Sequence, residues 1–316
     1  MTNQAAAQAA PPKSRMALSA VRKGRQEKPM RVLIYGVEGI GKSSFAANAP
    51  SPIFIGAEDG TSQLDVVRFP APESWADIVE AVRVLTLEKH EHKTLVVDTL
   101  DWAEPMLWRH ICARDEQADI EAYGYGKGYQ AALSEWLVFA QALDQLRAAK
   151  GMHVILVAHS QIKAFKNPEG PDFDRYEMKL HAKAGGLFKE WSDCVLFANY
   201  ETVATTDKRK RVRGVDTGVR LVHTERRAAF DAKNRYGLPE TLPLSWDDFA
   251  EAVAANRPAD PAALTAEIQR KAKQLGGADE KRALEAVKRA NGDAAKLAFM
   301  NNWVNSKLAD KEGAEQ

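Results

Sequence analysis

The octapeptide Gly36-Val37-Glu38-Gly39-Ile40-Gly41-Lys42-Ser43 restricts this chain more than any other stretch. It fits G-x-x-x-x-G-K-[ST], and the apolar run before it, "RVLIYG" at 31–36, reads as a buried strand. A strand, a glycine-rich turn and a helix together make a phosphate-binding loop. Backbone N–H groups wrap the phosphates, and the start of the helix adds positive potential. The expected nucleotide contacts are Gly36, Val37, Glu38, Gly39, Ile40, Gly41, Lys42, Ser43 and Ser44. Lys42 is expected to reach the β- and γ-phosphates, and the Ser43 hydroxyl to ligate Mg²⁺. ATP and Mg²⁺ are therefore the expected ligands. The loop alone does not separate a kinase from a GTPase, a helicase, a packaging motor or a recombinase.

Charge does not separate them either. The chain holds 44 Lys and Arg against 43 Asp and Glu, so no global field draws it to nucleic acid, and any such surface must be local. Its two cysteines, Cys112 and Cys194, stand in no metal or redox spacing and read as buried, reduced thiols of a cytoplasmic protein. No apolar run approaches the roughly 20 residues that span a bilayer, so no membrane partner is expected. Residues 1–29 are Ala/Gln-rich, then basic with prolines, and lack an apolar signal core. They read as a disordered basic tail, or as an arm touching DNA or a neighbouring subunit.

From about 30 to 200, apolar runs alternate with helical segments. "PIFIGAE" (52–58), "TLVVDTL" (94–100), "HVILVAHS" (153–160) and "DCVLFANYE" (193–201) read as strands, with helices near 74–89 and 128–149. Continuous apolar strands alternating with helices predict an α/β fold whose mostly parallel sheet is covered on both faces. Between 195 and 233 the pattern predicts antiparallel strands joined by the basic turn "DKRKRVR". A polar, proline-containing linker follows, then an Ala/Lys/Glu-rich stretch patterned as three helices. The expected organisation is a tail over 1–29, an ATPase core over 30–256 and a small helical unit over 257–316.

Two acids at strand ends complete the phosphate chemistry. Asp98 closes "LVVD", at the sheet edge where ligands bind in such folds, and is the expected Mg²⁺ acid, with Asp101 as the competing candidate. No glutamate follows Asp98, so a base must come from another strand end. Glu58, closing "PIFIGAE", could orient or deprotonate the attacking water, and Asp59 could substitute.

"PIFIGAEDG", then "LVVDT", "VILVAHSQIK", a glycine pair and "DAKNRYG", following a phosphate loop in that order, resemble the RecA-like ATPases. The resemblance covers roughly residues 30 to 250. It is closest to short phage-encoded RecA-like recombination and single-strand annealing proteins, grouped as a phage AAA-type ATP-binding domain. It implies a RecA-like core and an ATPase in which Glu58 is the catalytic glutamate. Gln161, beside His159 and Ser160, matches the polar switch that senses the γ-phosphate. Lys233 and Arg235 match a basic pair that reaches the ATP of the adjacent subunit, which implies head-to-tail assembly as a ring or a helical filament.

Single-stranded DNA is the implied partner. Residues 163–184 read as a mobile loop in which Lys163, Lys166, Arg175, Lys179 and Lys183 are interleaved with Phe165, Phe173 and Tyr176. Cations track phosphates and rings stack on bases. "YGYGKGYQ" (123–130), with Tyr125 and Lys127, stands where the family places its other DNA loop. The basic turn adds Lys208, Arg209, Lys210 and Arg211. A phage or host single-strand-binding or replication protein is a further expected partner. The alternatives are a ring-forming translocase or helicase on the same core, a nucleoside or small-molecule kinase, and a nucleotide-binding partner protein that hydrolyses little.

Overall fold

The computed structural model describes residues 16–21, 28–58, 60, 63–206, 212–256 and 261–314. A mixed sheet of ten strands organises the chain. In chain order the strands are β1 (Arg31–Gly36), β2 (Pro52–Gly56), β3 (Val67–Arg68), β4 (Thr94–Asp98), β5 (His153–Phe165), β6 (Phe173–Met178), β7 (Cys194–Thr206), β8 (Val212–His223), β9 (Lys233–Asn234) and β10 (Thr241–Pro243). The helices are α1 (Lys42–Ala47), α2 (Trp75–Leu87), α3 (Leu100–Arg114), α4 (Lys127–Lys150), α5 (Ala182–Trp191), α6 (Trp246–Ala255), α7 (Pro261–Leu275), α8 (Gly277–Ala290) and α9 (Ala294–Ala314).

The strand order is β10-β8-β7-β1-β5-β4-β2-β3. From β7 to β3 the pairs are parallel, while β8 and β10 extend the sheet in antiparallel fashion. The strand bearing Asp98 is thus not beside the phosphate-loop strand, because β5 lies between them. This is the mostly parallel α/β arrangement expected from the sequence, with antiparallel strands at the C-terminal edge.

Period-two alternation divides the strand side chains between two cores. Leu33, Tyr35, Leu95, Val97, Val154 and Leu156 face the layer of α2, α3, α4 and α5. Val32, Ile34, Val96, Ile155 and Val157 face the other layer, where Phe45 of α1 packs edge-on against Trp246 and Phe249 of α6. A third apolar cluster, around Leu264, Ile268, Ala283, Leu297 and Val304, lies within α7, α8 and α9. Cys112 and Cys194 are free and buried.

Residues 163–184 are not one mobile loop. β5 runs on to Phe165 and pairs antiparallel with β6, from Ser160↔Met178 to Phe165↔Phe173. Only the turn between them is irregular. Charged residues suggested a loop, but Ile162, Lys163, Ala164 and Asp174 are exposed in this hairpin, and a two-stranded ribbon tolerates charge where it meets water. α3 also escaped the sequence reading, because charged and aromatic residues blur its apolar stripe.

Glu104 is a buried acid in α3, at 5% exposure, and accepts hydrogen bonds from the His181 backbone N–H. Burial outweighs those bonds and raises its carboxyl to a pKa of about 7. The folded form therefore binds its proton more tightly than the unfolded chain does. The stabilising effect is full at acid pH, is lost as pH rises from the ordinary 4.5 through about 7, and stays lost above that. Urea melts should show the wild-type protein losing about 2–3 kcal/mol more than Glu104→Gln between pH 5 and pH 8. Equal losses in the two proteins would contradict this assignment.

Candidate nucleotide site

The phosphate loop leaves β1 at Gly36, where only glycine fits. A Cβ there would fall 2.0 Å from the carbonyl oxygen of Ala198 on β7. At the other end Gly41, with φ +110°, lies in a region that side-chain-bearing residues avoid. From there α1 begins with Lys42. The Lys42 ammonium turns back into the loop and donates to the carbonyls of Gly36 at 3.1 Å and Val37 at 2.9 Å. The residue is 5% exposed, and burial lowers its pKa against the opposing pull of Asp98, Asp101, Glu58 and Glu38.

Those acids arrive from separate elements. Asp98 ends β4 and is 3% exposed. Burial raises its pKa, Glu58 adds to the rise, and Ser43, Lys42 and His159 oppose it. Its Oδ2 is buried without a hydrogen-bond partner, and the peptide that follows it is cis. A lone carboxylate oxygen beside the Ser43 hydroxyl fits a hard cation. Among the described residues no group of three or more His, Cys, Asp and Glu could hold a metal ion.

Asp101, in the first turn of α3, has a different task. It accepts from the His159 backbone N–H at 2.9 Å and from the ring Nδ1 at 2.8 Å. Burial pushes its carboxyl up, but the bonds from His159 and Thr99 bring it below the ordinary range. His159 lies on β5 opposite Gly36 and is 8% exposed. With Nδ1 engaged, its Nε2 stands 3.8 Å from the Glu58 carboxylate. The structure thus brings together Lys42, Ser43, Glu58, Asp98, Asp101 and His159. The sequence had offered Asp101 only as a rival to Asp98. The available signal was its position three residues after a strand-end acid, on the first helical turn.

Other expected residues fall elsewhere. Gln161 donates to the Met178 carbonyl at 2.9 Å, so its amide braces the β5–β6 hairpin, and His159 is the polar side chain of that strand which meets Glu58. Lys233 donates to the carbonyls of Lys189, Glu190 and Ser192, at 2.9, 2.9 and 2.7 Å. It closes the C-terminal end of α5, where unpaired carbonyls attract a cation, so all three of its donors are used within the chain. The sequence had placed this lysine toward a neighbouring subunit; within the chain it meets the end of α5. Arg235 is exposed and pairs with Asp193 at 3.2 Å.

Of the expected DNA contacts, Tyr125 is fully exposed at φ +49°, flanked by Gly124 and Gly126, also at positive φ. Lys127 opens α4, and Lys163 and Lys166 are exposed. Phe165 is not free to stack, since Phe173 lies 5.3 Å from its ring centre and the Arg175 guanidinium lies 4.9 Å above it. Arg175 itself is buried in an ion pair with Asp231 at 2.6 Å. Lys179 reaches Glu38 at 4.0 Å, and Lys183 bonds Gln130 at 2.8 Å. Asp59 and the run Lys208, Arg209, Lys210 and Arg211 lie outside the described residues.

A family model described as an AAA domain matches residues 28–236, well over half of the chain. The SPbeta prophage-derived uncharacterized protein YorG of Bacillus subtilis (strain 168) is 26% identical over 189 residues, covering 54% of this chain and 55% of that protein. The chain thus spans about half the length of this curated relative. A crystal structure of the RadB recombinase overlaps 65% of this chain and 84% of its own, with 14% identity and a TM-score of 0.37. No described helix is long and apolar enough to cross a membrane. With its phosphate loop, strand-end acids and matched family model, the chain belongs to the AAA domain family of P-loop proteins.

Proposed function

We propose that this protein is a Mg²⁺-dependent ATPase that assembles head-to-tail on single-stranded DNA and serves phage recombination or annealing. The observation that carries the ATPase part is the meeting of Lys42, Asp98, Glu58 and His159 at one sheet edge. Water attacks the γ-phosphate in line. Glu58 orients that water and takes its proton, and Nε2 of His159 steers the carboxylate. Asp101 accepts from the ring Nδ1 and from the His159 backbone N–H, which holds the imidazole in its orientation. Lys42 exchanges its two loop carbonyls for phosphate oxygens. Asp98 and Ser43 would hold Mg²⁺, which supplies charge neutralisation across the β- and γ-phosphates.

Exposed Arg235 is the residue we assign to the ATP of an adjacent subunit. A cation arriving from a neighbour stabilises charge developing on the γ-phosphate and makes hydrolysis depend on assembly. Tyr125, Lys127, Lys163 and Lys166, with the basic turn, form the proposed DNA contacts. The prophage origin of the YorG relative supports a phage setting. A ring-forming translocase uses the same residues and remains the second reading.

Two outcomes follow. Asp101→Asn should slow ATP turnover roughly tenfold to a hundredfold by loosening His159, while ATP affinity stays within about threefold. Wild-type turnover in that variant would remove His159 positioning from the mechanism. ATPase rates measured without DNA, with single strands and with duplex should show selective stimulation by single strands. Equal rates in all three would remove DNA as the activating ligand.

A further inference from the structure

The sheet order gives the phosphate loop two unlike sides. On the β5/β4 side stand His159, Asp98 and, from β2, Glu58, which is the hydrolytic end. A triphosphate whose γ-phosphate faces those groups must leave the loop on the β7/β8 side. There the sheet supplies an arginine. Arg220, on β8, places a guanidinium nitrogen 3.4 Å from the position a Cβ would take on Gly41. Its backbone is fixed on both edges, pairing with Tyr200 of β7 and accepting from the Leu244 N–H at 3.1 Å. Leu244 Cδ2 lies 3.6 Å from that same Cβ position. Among the described residues no acid forms an ion pair with Arg220, and its side chain is exposed.

We propose that Arg220 binds the nucleotide in cis, donating to the α-phosphate at the end of the site opposite Glu58. Glycine at position 41 serves this as well as the turn, because any side chain there would occupy the path between guanidinium and phosphate. An arginine suits the role, since its planar donors match phosphate oxygens and it stays charged at all relevant pH. This inference rests on the reading of residues 36–43 as a nucleotide site. It adds a contact from the antiparallel extension of the sheet, a part of the chain that the hydrolytic chemistry leaves unused.

Equilibrium binding of Mg²⁺-ADP and of Mg²⁺-pyrophosphate to the full chain tests it. Arg220→Ala should weaken ADP roughly tenfold, the size of one charge-assisted hydrogen bond. Pyrophosphate, which needs only the loop and Lys42, should weaken less than about twofold. Arg220→Lys should fall between wild type and alanine for ADP, and it serves as the folded control if the alanine variant melts early. Unchanged ADP affinity, or equal weakening of both ligands, would overturn the proposal. Lys42→Ala separates the two levels. If it keeps both ligands at wild-type affinity, the loop reading itself fails. If it loses both while Arg220→Ala loses neither, only the Arg220 assignment fails.

Discussion

A buried ammonium is costly unless anions or carbonyls surround it, and Lys42 sets that requirement at the centre of the sheet edge. Two carbonyls of its own loop take its protons directly. Carboxylates from β4, from the first turn of α3 and from the end of β2 supply the compensating charge. None of these acids is a sequence neighbour of the lysine. They meet because parallel strands all end on one side of the sheet, so the groups closing them share one crevice. Glycine at position 36 is part of the same constraint, since β7 passes so close to β1 that a methyl group would collide with its backbone.

His159 marks the place where this edge is joined to the rest of the molecule. Up to that residue β5 pairs with β1, and beyond it the strand leaves the main sheet and pairs with β6. The base of the hairpin is pinned in turn. Arg175 of β6 is paired to Asp231, and the Asp231 carbonyl accepts from the Tyr35 hydroxyl at 2.6 Å, one residue before the phosphate loop. Lys189 of α5 joins the same carboxylate at 2.7 Å, which keeps Asp231 ionised. The segment that carries Arg235 is therefore tied to β1 by a hydroxyl–carbonyl hydrogen bond and to the hairpin by an ion pair with the buried Arg175. Such contacts are costly to break one partner at a time.

Much of the fold was legible because local pattern and global role agree. β1, β2, β4 and β5 are apolar runs closed by chemically distinct residues, and α2 and α4 carry regular apolar faces. The β5–β6 hairpin was obscured by its charge, since Lys163 and Asp174 are exposed while Arg175, opposite Lys163, is buried by pairing with a residue 56 positions away. The same non-locality explains the site. Strand-end positions for Asp98 and Glu58 can be read from a sequence, but the bonds from Asp101 to His159 depend on the packing of α3 over β5. The partners of Lys233 within the chain are three backbone carbonyls at a helix end, which no side-chain motif reveals. Arg220 left no local signal, because its place beside Gly41 comes from strand order alone.

The account turns on a hydrolytic site built by Glu58 and completed by Arg235 of a second copy. The most direct measurement is phosphate release from ATP by an equimolar mixture of Glu58→Gln and Arg235→Ala proteins, beside each variant alone. The account predicts that each is inactive alone and that the mixture regains activity, from interfaces that join an intact Glu58 to an intact Arg235. A mixture as inactive as its components would contradict assembly across that interface, and an active Glu58→Gln protein would place the base elsewhere.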